Sequence, residues 1–159
     1  MTIEKVKALL AENGLSDRLH EFEASTATVE LAAQALGVDP DQIAKTLSFY
    51  RGDGVVLVVA AGTRRIDNRK FKDQFGCKAK MLSLEDTERL TGNAAGGVCP
   101  FLAPEGTEVW LDQSLRDHET VYPSAGSPHS GIALSCQELE SLVRPAGWCD
   151  VCKSLEVTA

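Results

Sequence analysis

The sequence predicts an α/β (α+β mixed) fold: a mixed, mostly antiparallel β-sheet of about five to seven strands surrounded by helices, in one domain over residues 1–159. Three observations carry this expectation. Capped helical segments intermingle with short apolar runs along the whole chain. One of those runs, Val55 to Ala61, is apolar at every position. No repeat, low-complexity tract or long linker divides the chain.

Taken in order, Ile3 to Glu12 reads as a first helix that stops at Asn13-Gly14. A second opens with Thr28 as N-cap and ends before Gly37. Asp39 caps a short helix with Pro40 at its first position. Lys45–Tyr50 and Val55–Ala61 then form a hairpin across "RGDG". Being apolar on both faces, the second strand belongs at the centre of a sheet covered on two sides. Asp67 caps a helix closed by Gly76, and Lys80 to Leu82 is a short strand. Ser83, with Asp86 three residues on, begins a capping-box helix that runs to Thr91. "EVWLD" and "TVYPSAG" are further short strands, and "GIALS" is a strand feeding a helix capped by Ser135 with Glu138 at the box position.

One residue in the hairpin is out of place. On a strand, Lys45, Leu47 and Phe49 share one face and Thr46, Ser48 and Tyr50 the other. A lysine on the apolar face needs a partner or a task, because an unpaired buried ammonium is costly. The pattern also fits a lysine snorkelling past Leu47 to water.

Composition bounds the function. The chain has 159 residues, 43% of them hydrophobic, enough for a full core. It has no apolar run near the roughly 20 residues of a membrane span, so no membrane partner is expected. Charges throughout "MTIEKVKALLAENG" argue against a secretory signal and for a cytoplasmic protein. The five cysteines are spread without framework spacing and are expected to be reduced. Cys149 and Cys152 have redox or metal spacing, yet there is no second pair to complete a zinc site and no strand-to-helix context. Two small side chains packing into the body are the expectation, with no metal and no cofactor. A net charge of −7 argues against DNA and other long nucleic acid. The cations are nevertheless concentrated: residues 64–80 carry +5, leaving −12 elsewhere. A solvated helix face explains such a run, and so does a phosphate-binding surface, for which Arg64, Arg65, Arg69 and Lys70 are the candidates.

Three further stretches carry chemistry. In "NAAGGVCPFLAPEG", Gly96-Gly97 leaves backbone amides open and Pro100 fixes the turn. Adjacent N–H groups of this kind can point together at a polarised carbonyl, although a plain surface loop has the same composition. "YPSAGSPHSG" places Ser127, His129 and Ser130 between two strands. No acidic residue sits nearby in sequence to orient His129, so a Ser/His triad is not indicated and a polar hairpin is the simpler reading. "HEFEASTATVE" brings His20, Phe22 and Thr26 towards a helix as one wall of a pocket.

"IAKTLSF", "GGVCPF" and "AGSPHSGIALS", in this order, resemble the YbaK/ProX family of aminoacyl-tRNA deacylases, whose fold is also the editing insertion domain of bacterial prolyl-tRNA synthetases. The resemblance covers essentially the whole chain. Lys45 matches the family's characteristic lysine, and Gly96 to Pro100 its Gly-x-x-x-Pro loop. The resemblance implies a free-standing trans-editing hydrolase. Such a protein cleaves the ester of a mischarged aminoacyl-tRNA (a small amino acid on tRNA-Pro or similar) by positioning, without a covalent nucleophile, metal or cofactor. It implies a tRNA acceptor end as partner and admits a synthetase beside it. Lys45 would anchor the adenosine end, and the Gly97 and Val98 amides would polarise the carbonyl. Thr46, Gly96, Cys99, Pro100, Phe22, Thr26, Ser127 and His129 would contact substrate, with Phe22, Thr26 and Ser127 setting selectivity. Cys99 is not read as a nucleophile. The competing readings are a non-catalytic module that binds tRNA 3′ ends or nucleotides, and redox or metal chemistry at Cys149 and Cys152.

Overall fold

The computed structural model describes residues 2–153. Its sheet grows from the hairpin. Strands β2 (Ile43–Arg51) and β3 (Gly54–Ala61) pair antiparallel, with Arg51 opposite Gly54 across a two-residue turn. The remaining strands are β4 (Glu108–Asp112), β5 (Tyr122–Pro123) and β7 (Gly147–Cys149), and the order across the sheet is β5-β2-β3-β4-β7. A separate ribbon pairs β1 (Leu19–Glu21) with β6 (Ser130–Ile132).

The apolar run is central, as expected, and it alternates between two cores. Val55, Leu57 and Val59 pack with Val6 and Leu10 of α1 (Thr2–Glu12) and with Leu139 and Leu142 of α5 (Cys136–Val143). Val56 and Val58 face the other way, onto Phe49 and onto Phe71 and Phe75 of α3 (Asn68–Phe75). The α3 and Phe49 rings sit 4.7 Å apart in successive tilted pairs. Burial at about 25 cal/mol per Å2 of apolar surface on both sides makes β3 the anchor of the fold.

Helix ends follow the sequence closely. Thr28 accepts from the Leu31 N–H at the start of α2 (Val29–Leu36), Asp67 from the Arg69 and Lys70 N–H groups, and Ser135 and Glu138 form a reciprocal box. Asp39 caps a short 3₁₀ turn, Pro40–Gln42, in the same reciprocal way with Gln42. At α4 (Leu84–Thr91) only half of the expected box forms. Ser83 accepts from the Asp86 N–H, but the Asp86 carboxylate accepts instead from the Tyr50 hydroxyl and from Arg89.

Three expectations are corrected. In the five-stranded sheet three of the four pairings are parallel, so it is mixed but not mostly antiparallel. The long β3–β4 and β4–β7 connections, carrying helices between their strands, are what parallel neighbours require. Lys80–Leu82 makes only an isolated bridge between Met81 and Phe49, and "TVYPSAG" contributes two strand residues. β1 and β7, three residues each, are too short to show a period of two in the sequence.

Candidate active site

The site exists because β2 loses its outer neighbour. β5 pairs only with Ile43 and Ala44. Further along, the Ser48 carbonyl accepts from the Leu82 N–H, and the Tyr50 N–H donates to the Lys80 carbonyl. Between these two attachments the outward edge of β2 is open at Thr46. By the alternation of the strand, the Thr46 N–H and C=O point the same way as the Ser48 carbonyl. A cavity of about 360 Å3 fills this gap. Lys45, Thr46 and Ser48 form its floor, and Thr26 and Val29 one wall. Gly96 and Val98 of the glycine loop line it too, as do Tyr122, Ser124 and Ser130.

The glycine loop is held by close approach to Ala27 and to Ser127–Pro128. Gly96 has φ +85°, and a Cβ there would lie 2.9 Å from the Ala27 Cβ. A Cβ on Gly97 would lie 3.2 Å from the Pro128 nitrogen. Only glycine fits both the left-handed turn and the contact at position 96. The Gly97 N–H is engaged, donating to the Ala94 carbonyl at 2.9 Å. Among the described residues no acceptor is found for the Gly96 or Val98 N–H. The expected pair of free amides at Gly97 and Val98 is therefore corrected: the rim offers Gly96 and Val98.

Most hydroxyls of the walls are committed to the protein. Thr26 Oγ1 donates to the Ser130 carbonyl and accepts from its N–H. Ser124 and Ser130 both donate to the Ser127 carbonyl. Thr46 differs: its Oγ1 is buried and has no hydrogen-bond partner among the described residues. A buried orphan hydroxyl costs about 1–3 kcal/mol, which makes it a ready contact for a ligand.

Lys45 borders the cavity and donates its ammonium to the Arg64 carbonyl. Burial lowers its pKa below the ordinary lysine range, outweighing the Asp41 carboxylate that favours the charged form. The ammonium is thus half-buried yet partnered, which answers the anomaly of its place on an apolar face.

The structure moves several predicted residues away from the cavity. Cys99 is 1% exposed, lies in the core with Sγ 3.7 Å from the Phe101 carbonyl, and burial pushes its thiol up to about 11. It does not line the cavity. Pro100 is buried beside it. Phe22 stacks on His20 at 6.4 Å, and neither lines the cavity. Ser127 Oγ accepts from the His129 N–H, and the exposed His129 ring sits with Nδ1 3.1 Å from the Ala24 carbonyl. Both brace the loop from outside. The basic run is also divided. Arg64 is 8% exposed and paired with Asp41 at 3.0 Å and Asp117 at 2.7 Å. Lys70 reaches Asp150 and the Cys152 carbonyl, leaving Arg65 and Arg69 exposed. Burial pushes the Cys149 and Cys152 thiols up to about 12, so neither supplies a thiolate near neutrality.

Sequence reasoning missed Met81, Leu84 and Thr87, which close the cavity from the α4 side. Met81 and Leu84 are 55% and 77% exposed, an apolar excess at a helix start that a per-residue reading could have marked.

With this geometry in place, likeness to known proteins becomes interpretable. Residues 23–142 match the model of the aminoacyl-tRNA editing domain. The chain belongs to this family. The editing-domain match takes in the whole cavity, from Thr26 to Ser130. The chain is 44% identical, over 98% of its length and all of the relative, to the uncharacterized protein YwhH of Bacillus subtilis (strain 168). It is 29% identical, over 72% of its length and 71% of the relative, to EbsC of Enterococcus faecalis (strain ATCC 700802 / V583), named as a candidate Cys-tRNA(Pro)/Cys-tRNA(Cys) deacylase. Among solved structures, a candidate trans-editing enzyme for prolyl tRNA synthetase superposes with a TM-score of 0.83 at 28% identity, covering 96% of this chain and 98% of its own.

Proposed function

We propose that this protein is a trans-editing hydrolase that releases a small amino acid from a mischarged tRNA, with tRNA-Pro as the leading acceptor. The observation that carries the reading is the convergence of Lys45, the orphan Thr46 hydroxyl and the Gly96–Val98 rim on one cavity in an editing-domain chain. The cavity takes the aminoacylated 3′ end. A lysine ammonium has three donors, so Lys45 can keep the Arg64 carbonyl and still bind ribose or phosphate oxygens. The Val98 N–H, with that of Gly96 beside it, faces the ester carbonyl and stabilises the oxyanion as water adds. The ester C–O bond then breaks, giving free amino acid and the tRNA 3′-terminal hydroxyl. Exposed Arg65 and Arg69 meet acceptor-stem phosphates, and a synthetase that delivers the tRNA fits the same arrangement.

Selection among amino acids rests on cavity size and on Thr26 and Thr46. One methylene distinguishes substrates by only ~1–3 kcal/mol. The test is a panel of mischarged tRNAs assayed for amino-acid release. Release from at least one is expected, and Lys45→Ala should slow it by about 100-fold, the scale on which lost positioning is felt. Full activity in that variant removes Lys45 from the mechanism. Salt-sensitive binding of every tRNA with no release would favour a non-catalytic module instead.

A further inference from the structure

We propose that Arg64 is a positioning residue: its side chain, clamped by Asp41 and Asp117, fixes the backbone carbonyl on which the Lys45 ammonium rests. This inference rests on the hydrolase reading for its kinetic consequence, though not for its geometry. Arg64 belongs to the basic run that the sequence offers as a phosphate surface, yet it is 8% exposed and paired with two carboxylates.

Asp41 organises the cluster. It lies in the 3₁₀ turn that feeds β2, four residues before Lys45. Three consecutive residues beyond the end of β3 bind it. The Gly62 N–H donates to its carbonyl at 3.4 Å, Thr63 donates to Oδ1 through its N–H at 3.3 Å and its hydroxyl at 2.5 Å, and the Arg64 guanidinium donates to Oδ2 at 3.0 Å. His118 Nε2 lies 2.7 Å from the same Oδ2, and the same Arg64 Nη2 that binds Asp41 also donates to Asp117 Oδ2 at 2.7 Å. The loop 62–64 is thus nailed to the start of the strand that carries Lys45, and the Arg64 carbonyl is held where the ammonium arrives.

Nothing in this cluster faces the cavity: neither Asp41, Arg64, Asp117 nor His118 lines it. Its effect on chemistry must pass through Lys45. Small displacements of a positioned group cost rate steeply, which gives the clamp a kinetic role beyond stability.

The experiment uses the full chain with 13C-labelled lysine. The Lys45 ε-CH2 resonance is identified by its loss in Lys45→Arg and followed in Arg64→Gln, Arg64→Lys and Asp117→Asn. In wild type it should stand apart from the surface lysines. Arg64→Gln should bring it to their position, Asp117→Asn should move it part of the way, and Arg64→Lys should restore part of the shift. In parallel, kcat/KM for amino-acid release should fall by about 100-fold in Arg64→Gln. An unmoved Lys45 resonance in folded Arg64→Gln overturns the proposal. Should that variant fail to fold, Asp117→Asn decides, since its carboxylate is 58% exposed and its loss is mild; an unmoved resonance there overturns the proposal equally. A wild type that releases no amino acid from any tRNA, with the resonance still moving, sinks the hydrolase reading and leaves the clamp standing.

Discussion

Two polar regions flank Lys45 and are built in opposite ways. On the Asp41–Arg64 side, one carboxylate receives Thr63, Arg64 and His118, and the guanidinium it binds also reaches Asp117. On the cavity side, among the described residues, the buried Thr46 Oγ1 has no partner and the Gly96 and Val98 amides find no acceptor. A region tied by many internal bonds sets geometry, even though the buried Arg64 Nε finds no partner among the described residues. A region left short of them is complete only when something else enters.

The largest effect should come from closing the open region. Gly96→Ala places a methyl 2.9 Å from the Ala27 Cβ at φ +85°, and is expected to cost about 1–3 kcal/mol in denaturant unfolding while losing activity through a displaced rim. Normal activity in this variant would show that the rim does not meet substrate.

Breaking the cross-linked region around Asp41 comes next. Burial alone would raise the Asp41 carboxyl, but hydrogen bonds from Thr63, His118 and Arg64 hold it down at about 2 against an ordinary 3.8. A depressed carboxyl contributes stability above its unfolded pKa and loses it as pH falls through the folded one, so the window lies between about pH 4 and pH 2. The contribution is on the order of 2 kcal/mol. Asp41→Asn should lower the melting temperature at neutral pH and flatten its decline across that window. A parallel decline in both proteins would locate the acid sensitivity elsewhere.

Thr46→Val sharpens the contrast most directly. Removing an orphan hydroxyl should leave the free protein as stable or more stable by about 1 kcal/mol, while kcat/KM falls about fivefold. If stability drops instead, the hydroxyl had a structural partner. The smallest effect on rate is expected at Cys99. Cys99→Ala should cost about 1 kcal/mol of stability through lost packing and leave kcat/KM unchanged, whereas loss of a nucleophile would remove activity.

Much of this was legible beforehand because it is local. Thr28, Asp39, Asp67 and Ser135 cap helices by bonds spanning two or three residues, and the apolar Val55–Ala61 run could only be a central strand. The lysine anomaly likewise pointed to a real constraint. What sequence could not show depends on the third dimension. Cys99 and Val98 are adjacent, yet one enters the core and the other borders the cavity, a choice set by the turn at Gly96. Arg64 and Arg65 look alike in a basic run, and only the approach of Asp41 and Asp117 from distant turns separates a clamp from a surface charge. Met81 and Leu84 became part of the site because Leu82 bonds to Ser48 across more than thirty intervening residues.

The placement of β7 has a consequence for synthesis. After β4 the chain crosses to the far edge to add β5, and only later returns to lay Gly147–Cys149 beside β4. At roughly 5–20 residues per second, the ribosome leaves the flank of β4 bare for some seconds. During that interval the nascent polypeptide presents an unprotected pairing surface, and chaperone occupancy should peak there rather than near the glycine loop at 96–100.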